Sequence, residues 1–225
     1  MSSYIYMKIL ESQPERYDRG IALLSLGQSE RFKKRLVNDN VQPDFKVLEI
    51  GCGTGTMTIL AAQKGAEVIG FDASPAMIEI ARKKIDAGGL SDKIALVEMG
   101  VSGMDKLAEN SFDLVMATLV FSELSRDEQA YSLRHTYRIL KPGGRLAIAD
   151  EARPRNIGKR LLHSAVRIPL LLITFALTQT TTKAVEALPA LITEAGFRID
   201  LEERRSLDSF LYLVAIKEEK NEFCH

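Results

Sequence analysis

Along the 225-residue chain the apolar positions switch repeatedly between a period of two and a helical period, as they do where strands alternate with helices. Phe45 to Ile50 reads as a buried strand, Met57 to Gln63 as a helix, and Glu67 to Phe71 as a second strand. Ser74 followed by Pro75 is an N-cap with proline at the first helical position. The stripe Met77, Ile78, Ala81 and Ile85 carries that helix to the stop at Gly88 and Gly89. Ile94 to Met99 gives a third strand, and Asn110 to Leu124 a fourth strand with its exit segment. Asp127 to Leu140 is a helix striped by Leu133, Tyr137 and Leu140, and the LKPGG run predicts a turn into a fifth strand, RLAIAD. Leu188 to Ala195 predicts a last helix ended by Gly196. Two strands able to pair antiparallel follow, Phe197 to Glu203 and Ser209 to Lys217. This regular alternation predicts an α/β domain whose sheet is covered on both faces. Ahead of it, Ile21, Leu24, Leu26, Phe32 and Leu36 form helical stripes, and Pro14 suits a first helical turn.

Charge changes the picture by what it removes. With 30 basic and 30 acidic residues, the chain has no net field to draw it onto nucleic acid or an anionic membrane. The two cysteines, Cys52 and Cys224, make no disulfide framework, and no signal-peptide pattern opens the chain, so a reducing, cytoplasmic compartment is expected. No His/Cys cluster has metal-ligand spacing, and no metal is expected.

The candidate chemistry gathers where the first strand ends. Val47 to Ile50 runs into three alternate glycines, Gly51, Gly53 and Gly55, and then into a helix. Such a joint lets a ligand lie against the backbone where a Cβ at Gly51 or Gly53 would fill the space. Asp72, 23 residues after Glu49, ends the second strand, where a carboxylate is placed to accept from both hydroxyls of a ribose; Ala73 follows it at the same edge. The loop departs from the dinucleotide fingerprint, because Gly55 comes one residue early and Thr56 follows it. Glu49 would repel a pyrophosphate but suits a ligand tail carrying an ammonium group. These features favour S-adenosylmethionine (SAM) over a nicotinamide dinucleotide; the other reading is a tight turn with no ligand.

On VLEIGCGTG, Asp72 and the KPGG turn, the stretch from Phe45 to Glu151 resembles the class I SAM-dependent methyltransferases. Its layout is similar to the ubiquinone/menaquinone-biosynthesis type. The opening MKILESQPERYDRGIALLSLG, together with MGVSGMD and LVFSEL, looks like the corrinoid-protein-associated subgroup. The resemblance implies a Rossmann-like, mostly parallel seven-stranded sheet in the order 3-2-1-4-5-7-6, with helices on both faces. It also implies one domain, with residues 1–44 as a helical cap, 45–151 as the cofactor-binding core, 152–196 as lid and last helix, and 197–217 as closing strands. The implied donor is SAM, the product S-adenosylhomocysteine (SAH), and the acceptor a small molecule that is at least partly apolar. Action on or with a corrinoid protein, and cofactor binding without turnover, are the alternatives. Tyr17, in ERYDRG, would belong to the cap over the cofactor or else to ordinary helix surface.

Several further residues have two readings each. Family members commonly carry an acid after the third strand, whereas Gly100, Val101 and Ser102 stand here, so adenine recognition would fall to the backbone near Val101, with Val101 and Met77 against the ring. Met77 equally suits a core position. Ligands collect at the carboxyl ends of strands near a topological switch point, so Thr118 to Glu123 should border both cofactor and acceptor. Phe121 would pack on either of them. Glu123 would orient or deprotonate the acceptor, or else start the next helix in solvent. The stretch lacks the Asn/Asp-Pro-Pro-Tyr pattern of base-methylating relatives, which disfavours DNA adenine as acceptor. Asp150 and Glu151 end the fifth strand and would position a polar acceptor group or pair with Arg153 or Arg155. The apolar run Ile168 to Leu177 is too short to span a bilayer and would wall an acceptor pocket, dock a partner or fill core. His163, ahead of it, is the histidine to consider as a proton acceptor.

Overall fold

The fold is that of a computed structural model, in which residues 28–152, 187–205 and 208–218 are described. Tyr17, His163, the run Ile168 to Leu177, and most of the expected cap and lid lie outside these residues. In chain order the strands are β1 (Lys46–Ile50), β2 (Glu67–Asp72), β3 (Ile94–Glu98), β4 (Phe112–Thr118), β5 (Leu140–Glu151), β6 (Arg198–Arg205) and β7 (Phe210–Ile216). They form one sheet in the order β3-β2-β1-β4-β5-β7-β6. Strands β1 to β5 pair in parallel, and β7 enters antiparallel between β5 and β6. The strand order therefore reverses between β1 and β4, which opens a crevice at their carboxyl ends.

Alternation along each strand divides the core into two layers. Val47, Val68, Leu114, Met116, Ala147 and Tyr212 pack under helices α1 (Gln28–Asn40), α2 (Thr56–Gln63) and α3 (Pro75–Ala87). Leu48, Ile50, Val115, Ile148 and Leu213 pack under α4 (Arg126–Ile139) and α5 (Leu188–Glu194). Because every central strand buries both faces, the strands read as continuous apolar runs. Helix α1 is fixed to the far side of the sheet by Arg35, whose two terminal nitrogens donate to the carboxylate of Glu203 at 2.7 and 2.8 Å, and by Phe32 stacked on Phe210 at 4.2 Å. Among the described residues, no helix is long and apolar enough to cross a membrane.

The expected KPGG turn takes a different form. Leu140 leaves α4 and pairs at once with Phe112, so β5 runs through Pro142, Gly143 and Gly144. The Gly143 amide donates to Lys217 O at 2.8 Å, and the Lys217 amide to Gly144 O at 2.9 Å, so the end of β7 turns this stretch into strand. Only the left-handed φ of 76° at Gly143 remains of the turn.

Candidate functional site

At the tip of β1 the three glycines adopt left-handed backbone, with φ of 65°, 52° and 77° at Gly51, Gly53 and Gly55. Their reasons differ. A Cβ at Gly51 would lie 2.5 Å from Val120 Cγ2, so the space there belongs to the segment leaving β4. This corrects the expectation that a ligand needs the room at Gly51. At Gly55 a Cβ would meet Ala81 at 3.0 Å, where α2 and α3 touch. At Gly53 a Cβ would meet nothing within 4 Å, and the loop backbone faces open volume. Gly51→Ala is therefore expected to destabilise the fold by about 2 kcal/mol, with part of that loss recovered in the double variant that adds Val120→Ala. Gly53→Ala should cost only about 1 kcal/mol, because its φ is the sole obstacle. Urea unfolding of the three variants measures the difference.

Asp72 ties the loop down. Its Oδ2 accepts from the Gly53 amide at 2.8 Å and its Oδ1 from the Ser74 amide at 2.9 Å. A carboxylate offers about four lone-pair sites and can accept from several donors at once. Ser74 caps α3 by accepting from the Met77 amide at 3.4 Å, which places exposed Ala73 at the sheet edge and buries Met77 to 2 % exposure. Half-buried Val101 opens a 3-10 helix (Val101–Lys106) after β3.

Glu49 lies lower, beneath α2. Only 4 % of it is exposed, and the Thr58 hydroxyl makes a short hydrogen bond to its Oε2. Burial pushes the Glu49 carboxyl up to about 8; the Thr58 bond and the charge of Lys33 oppose that rise, and the charge of Asp72 adds to it. Thr58 carries no signal in the sequence, because its role appears only once α2 folds back on β1.

The segment leaving β4 forms the opposite wall. Thr118 donates to Met57 Sδ at 3.2 Å. Leu119 takes a left-handed φ of 58°, a conformation that costs a non-glycine residue of order 1 kcal/mol and gathers at functional sites. Phe121 is fully buried in the core, in the layer that holds Val115 and Ala117, so its expected packing on cofactor or acceptor does not occur. Gln129, from α4, donates to Phe121 O at 2.7 Å and Leu124 O at 3.1 Å. On the β5 side, Asp150 is 1 % exposed, its Oδ2 accepting from the Ser122 amide at 3.3 Å and its Oδ1 from the Glu151 amide at 2.7 Å. Burial pushes Asp150 up to about 6 against these hydrogen bonds. Glu123 is exposed, as for a residue in the solvated lead into α4, and desolvation of its carboxyl first, then the charges of Asp150 and Asp72, push it up to about 7. Half-buried Glu151 is next to Asp150.

The crevice thus joins the loop of β1, the tip of β2 and the exits of β4 and β5, the arrangement the topology allows for a nucleoside ligand with a second substrate beside it. A family model described as a methyltransferase domain matches residues 47–144. The chain is similar to the demethylmenaquinone methyltransferase of Listeria welshimeri, at 30% identity over 162 residues, covering 70% of this chain and 67% of that protein.

The chain belongs to the class I SAM-dependent methyltransferases.

The chain is also similar to the ubiquinone/menaquinone biosynthesis C-methyltransferase UbiE of Pseudoalteromonas translucida, at 30% identity over 66% of this chain and 59% of that one. A SAM-dependent methyltransferase from Methanosarcina mazei has the same fold, with a TM-score of 0.63 at 21% identity over 82% of this chain and 97% of that one. The chain spans 59% to 61% of the length of three further curated relatives it matches. The methyltransferase cofactor is SAM, and the residues fit it: open volume over Gly53 and an acceptor carboxylate at Asp72.

Proposed function

We propose that the chain transfers a methyl group from SAM to a small, partly apolar acceptor of the quinol kind, at a carbon or oxygen atom. The observation that carries this reading is the crevice itself, with the Asp72-braced glycine loop on one side and Glu123 on the other. Gly53 and Asp72 hold the nucleoside, while Glu49, buried beneath α2 with its carboxyl pushed up to about 8, supports the loop from below and brings no charge to the ammonium end. SAM supplies a methyl group made electrophilic by its positively charged sulfur. The chain's own task is orientation, worth up to ~7 to 11 kcal/mol for well-aligned reactants, together with removal of the proton the acceptor loses. Glu123 stands where that proton leaves, and a base titrating near neutrality suits the work. A quinol fits because relatives bearing quinone-biosynthesis names share the core, and because Leu119 and Val120 give the crevice a half-buried apolar side.

Incubation with SAM and a reduced demethylmenaquinone tests the proposal. SAH and methylated quinone in equal amounts are expected. Formation of SAH only when a purified corrinoid protein is added would move the acceptor to that partner, and SAM binding with no SAH under either condition would leave a binding module.

A further inference from the structure

We propose that Lys33 and Glu30, neighbours one turn apart on α1, hold the amino-acid end of SAM, with Lys33 on its carboxylate and Glu30 on its ammonium group. The inference rests on the proposed function and deepens it, since it names what grips the donor beyond the nucleoside. A zwitterionic tail calls for a charge of each sign beside it. Glu49 supplies neither, because it is buried beneath α2 with its Oε2 turned to the Thr58 hydroxyl.

The first turns of α1 stand at the functional edge of the sheet. Phe32 stacks on Phe210 at 4.2 Å, and Phe210 pairs with Glu151 at the carboxyl end of β5. Phe32, Leu36 and Val37 share a core layer with Met57 and Ala61 of α2, the helix that leaves the glycine loop. Just past the end of α2, Lys64 donates to Val37 O at 3.2 Å and to Asn38 O at 2.9 Å. The two helices therefore run side by side away from the edge, and Lys33, one turn above Val37, is level with the upper part of α2. Its charge also reaches Glu49 beneath that helix.

Exposure sorts the basic residues of α1. Arg31 and Lys34 are exposed, and Arg35 is committed to Glu203 and Asp39. The side chain of Lys33 is only 17 % exposed, and its Nζ lies 3.4 Å from Glu30 Oε1. Covering a cation to this extent costs free energy that so long an ion pair, three residues apart on a helix, barely offsets. A ligand that presents a carboxylate to Lys33 and an ammonium group to Glu30 gives each a closer partner of opposite sign. The Glu30 carboxylate already shows Lys33 the group it would receive from SAM.

Calorimetry with two ligands tests the assignment: SAH, which carries the amino-acid tail, and methylthioadenosine, which has the same nucleoside and no tail. Lys33→Met keeps the apolar stem and removes the charge. It should bind SAH at least about tenfold more weakly than wild type, since a hydrogen bond to a charged group is lost. Its affinity for methylthioadenosine should stay unchanged, and Lys33→Arg should restore most of the SAH affinity. Glu30→Gln should weaken SAH in the same selective way. Unchanged SAH affinity in Lys33→Met, or an equal loss for both ligands, would overturn the proposal. The wild-type chain gives a second reading that needs no variant. SAH should protect the Lys33 amine from acetic anhydride, read by peptide mass spectrometry, and methylthioadenosine should not; equal labelling under both ligands would also overturn the proposal. Binding of both ligands with no effect at Lys33 sinks this inference alone, whereas binding of neither by the wild-type chain sinks the proposed function with it.

Discussion

Asp72→Ala is expected to lower SAM affinity by on the order of 100-fold, about 2.7 kcal/mol, while the sheet still folds. Two losses add up. The ribose would forfeit hydrogen bonds to a charged acceptor, each worth ~1.5 to 3 kcal/mol. The loop would also lose the brace that Asp72 supplies to the Gly53 and Ser74 amides, so the cradle would be less ordered before the ligand arrives. The fold should survive because Asp72 is only half-buried and its side chain belongs to neither core layer. Calorimetric titration of SAM into wild type and variant measures the effect, and circular dichroism reports the fold. Equal affinities would mean that the nucleoside lies elsewhere.

The second large effect concerns pH and stability. Glu49 titrates near 8 in the folded chain against an ordinary 4.5, so between those values the folded state holds a proton that the unfolded state has lost. Its contribution to stability must therefore fall as pH rises from about 4.5 to about 8 and level off above, by at most about 5 kcal/mol. Glu49→Gln keeps a partner for Thr58 and removes the titration. The variant should match wild type near pH 4.5 and exceed it increasingly up to pH 8. Glu123 and Asp150 are raised too and contribute the same sign of slope, but they remain in both proteins and cancel in the difference. Urea unfolding across this range measures it. A difference that is independent of pH, or that favours wild type as pH rises, would show Glu49 to be ionised in the folded chain.

These expectations depend on contacts of two kinds, which were not equally legible in the sequence. Periodicity and caps are local, so Ser74-Pro75 marked the start of α3, and the apolar run after Asp113 marked a strand buried on both faces. The glycine loop and Asp72 were legible because 23 residues of strand, helix and strand leave little freedom in where the acid arrives. Val120 over Gly51, Thr58 on Glu49 and Asp150 on Ser122 were not, since each joins residues that meet only after helices close on the sheet. Phe121 misled for a related reason. Its place in the segment leaving β4 suggested the crevice, but the ring lies in the same core layer as Val115 and Ala117 and is fully buried there. At KPGG, turn-forming residues were overridden by pairing with the distant end of β7.

The claim beneath all of this is that the crevice between β1, β2 and β4 receives SAM. Isothermal calorimetry of the wild-type chain against SAM, SAH and NAD tests it with no acceptor needed. Saturable binding of SAM and SAH at one site, with no heat from NAD, is the expected result; heat from NAD alone, or from none of the three, would contradict it.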